Sequence, residues 1–144
     1  MIADYGNVPF SHPAILESEI IGDQQIVGDN MHRTYYFNEE RAQLLEEKIT
    51  DFSPGTYSFT NQVTKSVKFP VIPEYTGGFY KLNKLSNSSC QFTFTMEFRT
   101  RSALLRPIMK GKFKVLISDY FASIMHYATT GEKITKETFK KIRK

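Results

Sequence analysis

The sequence predicts one domain of the α+β class, in which an antiparallel β-sheet packs against a long C-terminal helix. Residues 14–99 alternate apolar and polar side chains in short runs bounded by turn-forming residues, as half-buried strands do. Residues 102–130 instead repeat apolar side chains every three or four positions, as an amphipathic helix does. The length of 144 residues is that of a single domain, which can bury a core without disulfides or metals.

The strand predicted at residues 89–99 has the clearest alternation. One parity is polar, and the other holds Cys90, Phe92, Phe94, Met96 and Phe98, so one face of the sheet is dry and we expect Cys90 to be a small buried hydrophobe. Further strands are predicted at residues 14–21, 31–37, 43–52, 56–63 and 77–85, and the turns between them indicate a meander. Two prolines make residues 65–73 an edge or a connection, and Gly77-Gly78 predicts a bulge or kink that curves the sheet.

The helix predicted at residues 102–130 is capped by Ser102 and ends at Gly131. Pro107 and Gly111 predict that the first part of this helix is irregular. A continuous helix that begins only after Pro107 is the alternative. Its apolar stripe includes Phe113, Leu116, Ile117, Tyr120 and Phe121. Residues 131–144 form a short basic tail that we expect to dock loosely.

Charge is unevenly distributed along the chain. Residues 1–98 carry 7 Lys and Arg against 12 Asp and Glu, whereas residues 99–144 carry 12 against 3. We interpret the basic part as the solvated face of the helix. Contact with nucleic acid or an anionic membrane is the alternative, ranked last because the aromatic residues lie on the dry parity of the sheet and not among the lysines. No nucleic-acid partner is expected.

The residue types of common catalytic and metal sites are scarce. A single cysteine excludes an internal disulfide, and His12, His32 and His126 lack zinc-site spacing. The sequence has no dinucleotide or phosphate-binding glycine motif, so we expect neither metal nor cofactor. It also has no signal-peptide pattern and no apolar run long enough to span a membrane, which predicts a cytoplasmic protein without a transmembrane segment.

Several stretches resemble the START-like, or SRPBCC, helix-grip superfamily, which includes lipid-transfer domains, birch-pollen allergens and polyketide cyclases. Asp4-Tyr5-Gly6 with Phe10 and Pro13 resembles the segment from the end of its first helix through its second. Residues 28–33 and 45–51 resemble two of its strands, and the chain from Leu105 resembles its C-terminal helix. The resemblance implies a curved antiparallel sheet wrapped around a long C-terminal helix, with a cavity between them.

The resemblance also divides the chain into parts of a single domain, residues 1–144. Residues 1–13 correspond to a remnant of the N-terminal helices, 14–99 to the sheet, 102–130 to the long helix and 131–144 to the tail. The family opens with a strand before the segment at Asp4, and here Met1 stands three residues before it. The chain is then truncated, starts further upstream or is completed by a neighbour. We expect either a homodimer through the open sheet edge or an edge that the tail covers.

Arg33 and Glu47 are the most specific polar pair in the predicted sheet. A three-residue loop between the strands at 31–37 and 43–52 pairs Arg33 with Glu47, whereas a two-residue loop pairs Arg33 with Glu46. We favour the first register because it places Tyr35, Leu45 and their apolar neighbours on one face. A buried Arg–Glu pair can orient the polar end of an apolar ligand or fix the register of the two strands. The alternative interpretation is a salt bridge at the rim of the cavity, with no role in binding.

These observations predict a protein that binds or transports a small hydrophobic molecule, such as a lipid, polyketide or isoprenoid. The alternative is an enzyme of the cyclase or dehydratase type that uses a tyrosine, His12 or the Arg33–Glu47 pair for proton transfer in the same cavity. No evident acid–base pair supports it, and no catalytic residue is assigned. The predicted ligand-binding residues are Arg33, Tyr35, Glu47, Tyr57, Phe59, Tyr80, Phe92, Phe94, Met96, Phe113, Leu116, Ile117, Tyr120 and Phe121.

Overall fold

A computed structural model describes residues 8–21 and 32–143. Its helices and strands follow one another as α1 (Val8–Ser11), β1 (Glu17–Ile21), β2 (His32–Tyr36), β3 (Leu44–Ser53), β4 (Ser58–Val67), β5 (Gly77–Lys84), β6 (Cys90–Glu97), α2 (Arg106–Thr130) and α3 (Lys136–Ile142). The strands form one antiparallel sheet in the order β1-β2-β3-β4-β5-β6. This curved sheet with its long C-terminal helix confirms the predicted α+β class.

The alternation of β6 is confirmed over most of its length. Phe92, Phe94 and Met96 are half-buried, and the polar residues between them are exposed. The burial predicted for Cys90 is wrong, because the residue is exposed. It opens β6 opposite Lys84, beside the turn at residues 85–89, at the end of the sheet. The period of a strand gives the face on which a residue lies, but not how far along the strand that face is covered.

The curvature of the sheet does not come from a bulge at the two glycines. The ladder is regular at Gly77 and Gly78, so the predicted bulge is wrong, and the irregularities lie between β3 and β4 at Glu46/Glu47 and Ile49/Asp51. Glycine is needed at position 77 because a Cβ there would lie 2.4 Å from the carbonyl oxygen of Asn61.

Helix α2 begins at Arg106, after a 3₁₀ turn at Ala103–Leu105. Pro107 is tolerated in its first turn because the N–H of that position has no partner within a helix. The helix ends at Gly131, whose positive φ of 73° favours glycine and whose N–H donates to the carbonyl of Tyr127. Its 25 residues span about 38 Å.

The basic tail contains a helix of its own. The Thr135 side chain caps α3 by accepting from the N–H of Thr138, which is buried. Ahead of it, the N–H of Ile134 donates to the carbonyl of Phe10, and the Lys133 ammonium lies 3.7 Å from the centre of the Phe10 ring. These contacts hold the tail against α1.

Strands β1 and β6 lie at the two edges of the sheet. Within residues 8–21 and 32–143, no strand pairs with the outer side of β6. The Asp4-Tyr5-Gly6 part of the resembling segment, and the residues 28–31 that precede β2, lie outside the described residues. Dimerisation through the edge stays a prediction.

Candidate ligand cavity

A cavity of about 130 Å³ lies between the inner face of the sheet and α2. The sheet contributes alternate residues of five strands, and the helix contributes residues at spacings of three and one. Most of the predicted site residues line it, namely Arg33, Tyr35, Glu47, Phe59, Tyr80, Phe94, Met96, Phe113, Leu116, Ile117 and Tyr120.

The structure does not bring three predicted site residues to this cavity. Tyr57 is 67% exposed because it follows the 3₁₀ turn at Pro54–Thr56 with a positive φ of 51°. With Phe92 it lines a second depression of about 270 Å³, which shares Phe59 and Tyr80 with the cavity and lies where β4 begins. Phe121 packs edge-on against Phe92, with the ring centres 5.3 Å apart, and lines neither space.

Other lining residues are outside the predicted ligand-binding set, although His12 is the candidate base of the enzyme alternative. They come from the segment before β1, from the ends of the β2–β3 hairpin and from the connection after β4, and they are Val8, His12, Ile15, Phe37, Leu45 and Phe69. The hairpin register already placed Phe37 and Leu45 on the inner face. Phe69 lies in the proline-containing connection, where no periodicity indicates the direction of a side chain.

Arg33 and Glu47 form a buried ion pair on the cavity wall. They are opposite each other in the ladder, which confirms the favoured register. Glu47 Oε2 accepts from Arg33 Nε at 2.9 Å and lies 2.7 Å from Nη2, and the side chains are only 4% and 10% exposed. The interpretation as a salt bridge at the rim is therefore wrong.

Aromatic rings surround this pair. The Arg33 guanidinium carbon lies 5.1 Å from the centre of the Tyr35 ring and 5.8 Å from that of Phe59, within the range of cation–π attraction. Tyr80 stacks on Phe59 with ring centres 4.3 Å apart and contacts Phe94 at 4.5 Å. The result is an apolar enclosure with one charged pair in its wall.

Asn61 adds a polar group to the inner face of β4. Its Nδ2 donates to Glu47 Oε2, and the residue is 3% exposed. The other amide atom, Oδ1, is buried and accepts no hydrogen bond in the described part of the chain. It lies beside a smaller space of about 60 Å³ that shares Leu45, Glu47 and Tyr80 with the main cavity.

Burial holds three titratable side chains of the cavity, Tyr35, Tyr120 and His12, in their neutral forms. Burial raises the pKa of Tyr120 to about 12 and that of Tyr35 well above its usual value. Burial also lowers the pKa of His12 to about 4. His12 Nδ1 accepts from the N–H groups of Ala14 and Ile15 at 3.1 and 3.2 Å, which places the ring proton on Nε2.

A larger open groove, of about 580 Å³, lies on the opposite face of the sheet. Thr60, Gln62 and Phe79 line it, with Arg99 stacked 4.0 Å from the centre of the Tyr75 ring. It contains no buried ion pair, so we assign the candidate site to the inner cavity, where buried polar groups converge within an apolar enclosure.

Residues 8–21 and 32–143 contain no group of three metal-ligating side chains. His126 instead lies 2.9 Å from Glu132 at the surface. Among the described helices, none is long and apolar enough to cross a membrane.

Comparisons with known proteins identify the fold. No family model matches the sequence, and no curated protein matches it significantly. The structure is similar to that of an uncharacterised protein from Bacillus thuringiensis, with a TM-score of 0.58 and 16% identity over 87% of this chain and 83% of that chain. It is also similar to Ara h 8.0201, a Bet v 1-like protein, with a TM-score of 0.55 and 16% identity over 86% and 84% of the two chains. The chain therefore has the helix-grip fold, a curved antiparallel sheet around a long C-terminal helix.

Proposed function

We propose that the protein binds a small hydrophobic molecule in the cavity between its sheet and α2. The observation that carries this proposal is the convergence of aromatic and aliphatic side chains from both elements on one space whose wall contains a buried ion pair. Ligand sites in proteins typically have this composition, an apolar lining with a few fixed polar groups. The Bet v 1-like fold supports the same class of function.

The dimensions of the cavity limit the ligand. A space of about 130 Å³, with the adjoining 60 Å³, suits a compact molecule of one or two rings. The flexible Met96 side chain lines both spaces and can adapt to its shape. Apolar burial of a few hundred Å², at about 25 cal/mol per Å², is enough for micromolar affinity after the costs of association.

The electrostatics of the cavity favour binding over proton-transfer catalysis. A cyclase or dehydratase needs a group that gains or loses a proton near neutral pH. The raised pKa values of Tyr35 and Tyr120 keep their hydroxyls protonated, and His12 Nδ1 is occupied by two backbone N–H groups. Arg33 holds Glu47 in an ion pair. These groups are suited to orienting a ligand by hydrogen bonds.

Two neighbouring positions of α2 allow a matched test. Leu116 lines the cavity, whereas Val115 is 49% exposed on the outer side of the helix. Naphthalene, a two-ring probe, should bind to the protein in titration calorimetry. Leu116→Trp should fill the cavity and weaken naphthalene binding at least about tenfold, a loss of about 1.4 kcal/mol, while Val115→Trp leaves it unchanged. Absent binding, or equal losses in two folded variants, would refute the proposal.

A further inference from the structure

We propose that Asn61, in the wall of the 60 Å³ space that adjoins the cavity, recognises a neutral hydroxyl group on the bound molecule. This inference rests on the proposed function and specifies the chemical class of the ligand, a compact apolar body that carries a hydrogen-bond donor.

The orientation of the Asn61 amide is fixed by its neighbour. Nδ2 donates to Glu47 Oε2, which also accepts from Arg33. The reverse orientation would place Oδ1 against the Glu47 carboxylate, where two acceptors repel each other. Oδ1 therefore faces away from Glu47, and it is buried without a donor in the described residues. A buried acceptor of this kind is rare in native proteins and indicates that a donor is supplied from elsewhere.

A glycine allows the side chains of Asn61 and Phe94 to pack closely against β5. Gly78 is its partner in the β4–β5 ladder, and a Cβ at that position would lie 2.9 Å from Asn61 Oδ1 and 2.6 Å from Phe94 Cε2. Its φ is not positive, so the backbone conformation does not require glycine there. Asn61, Gly78 and Glu47 border the 60 Å³ space that adjoins the main cavity, and Phe113 borders it from α2. Asn61 and Gly78 also border the open groove on the other face of the sheet.

The charges around Oδ1 select the donor. A carboxylate would be repelled by Oδ1 and by Glu47. An ammonium group would be buried without a free counter-charge, because Arg33 already neutralises Glu47. An ether or a hydrocarbon offers no donor. A neutral hydroxyl satisfies Oδ1 without adding charge to the cavity.

Four bicyclic probes of similar size test this inference by titration calorimetry at pH 7. They are 2-naphthol, 2-methoxynaphthalene, naphthalene and 2-naphthoate, and only 2-naphthol carries a neutral hydroxyl. We expect 2-naphthol to bind about tenfold more tightly than naphthalene or the methyl ether, and 2-naphthoate to bind most weakly.

Two variants connect the preference to the residue. Asn61→Leu should bind 2-naphthol and naphthalene about equally. Ser123→Ala is the matched control, because Ser123 Oγ is the other buried side-chain oxygen that lacks a partner in the described chain, and it lies on α2 away from the cavity lining. It should retain the full preference. The comparison of the four probes on the unmodified protein needs no variant and stands if Asn61→Leu does not fold.

Each contrary result has a distinct meaning. Equal binding of 2-naphthol and naphthalene to the unmodified protein would overturn the hydroxyl site and leave the proposed function intact. Tightest binding of 2-naphthoate would overturn the selectivity argument. A preference retained in Asn61→Leu would overturn the assignment to Asn61. Failure of all four probes to bind would overturn both this inference and the proposed function.

Discussion

Removing Glu47 while Arg33 remains should destabilise the protein by about 3–5 kcal/mol. The guanidinium is only 4% exposed, and both contacts of the ion pair, at 2.9 and 2.7 Å, converge on one oxygen of Glu47. In Glu47→Leu the positive charge of Arg33 stays buried without the Glu47 carboxylate, which is the costly way to break such a pair. For a chain of 144 residues this corresponds to a fall in Tm of roughly 10 °C or more.

Replacing both partners should cost much less than replacing one. Arg33→Met with Glu47→Leu removes the buried charges together, so the double variant should recover most of the lost free energy of unfolding. Glu46→Leu is the matched control, because Glu46 is the adjacent residue of β3 but pairs with Lys65 at the surface, where the two side chains are 32% and 55% exposed. Its cost should stay below about 1 kcal/mol.

Urea unfolding followed by far-UV circular dichroism measures these differences, and it suits a chain that has no tryptophan. A cost of Glu47→Leu no greater than that of Glu46→Leu would contradict this prediction. So would a double variant whose loss of free energy of unfolding equals the sum of the losses in Arg33→Met and Glu47→Leu alone, since the two residues would then not be coupled.

Three further predictions concern other parts of the molecule. Burial lowers the pKa of His12 to about 4, so the folded protein binds fewer protons than the unfolded chain between about pH 6.5 and 4. The free energy of unfolding should therefore fall by about 1–3 kcal/mol as the pH decreases through that window. Urea titrations should show that this fall is abolished in His12→Gln and retained in His126→Gln. Gly78→Ala should lower the stability measured by thermal unfolding by about 1–3 kcal/mol, because the new Cβ clashes with Phe94. Gly111→Ala on α2 should raise the stability by up to about 1 kcal/mol, because its Cβ meets nothing within 4 Å. A Gly78→Ala variant of unchanged stability would contradict the close packing. Because no described strand pairs with the outer side of β6, we predict that the protein forms a dimer through this edge, which sedimentation equilibrium would detect. A monomer at every concentration would contradict pairing through this edge.

The elements that were predictable from the sequence are those set by a strict period. The two-residue period of strands fixes the face on which every side chain lies. The register of β2 and β3 that places their apolar residues on one face therefore also pairs Arg33 with Glu47, as the structure has it. The spacing of three and four in α2 likewise identified Phe113, Leu116 and Tyr120, which line the cavity.

Features that depend on packing in three dimensions were not predictable. The glycines of β5 suggest a bulge in sequence, and only the approach of the Asn61 carbonyl to Gly77 shows that they are required for space. Asn61 itself resembles any polar residue of an alternating strand, because its burial depends on the neighbouring Glu47. Tyr57 was misplaced because a 3₁₀ turn interrupts the alternation just before it.

Native mass spectrometry of the protein purified from its own host is the first test of ligand binding. We expect one small apolar molecule per chain, released by organic solvent, identified as carrying a hydroxyl group and absent from Leu116→Trp. A ligand-free protein that also fails to bind naphthalene would rule out a ligand cavity, and the aromatic residues between the sheet and α2 would then serve only as core.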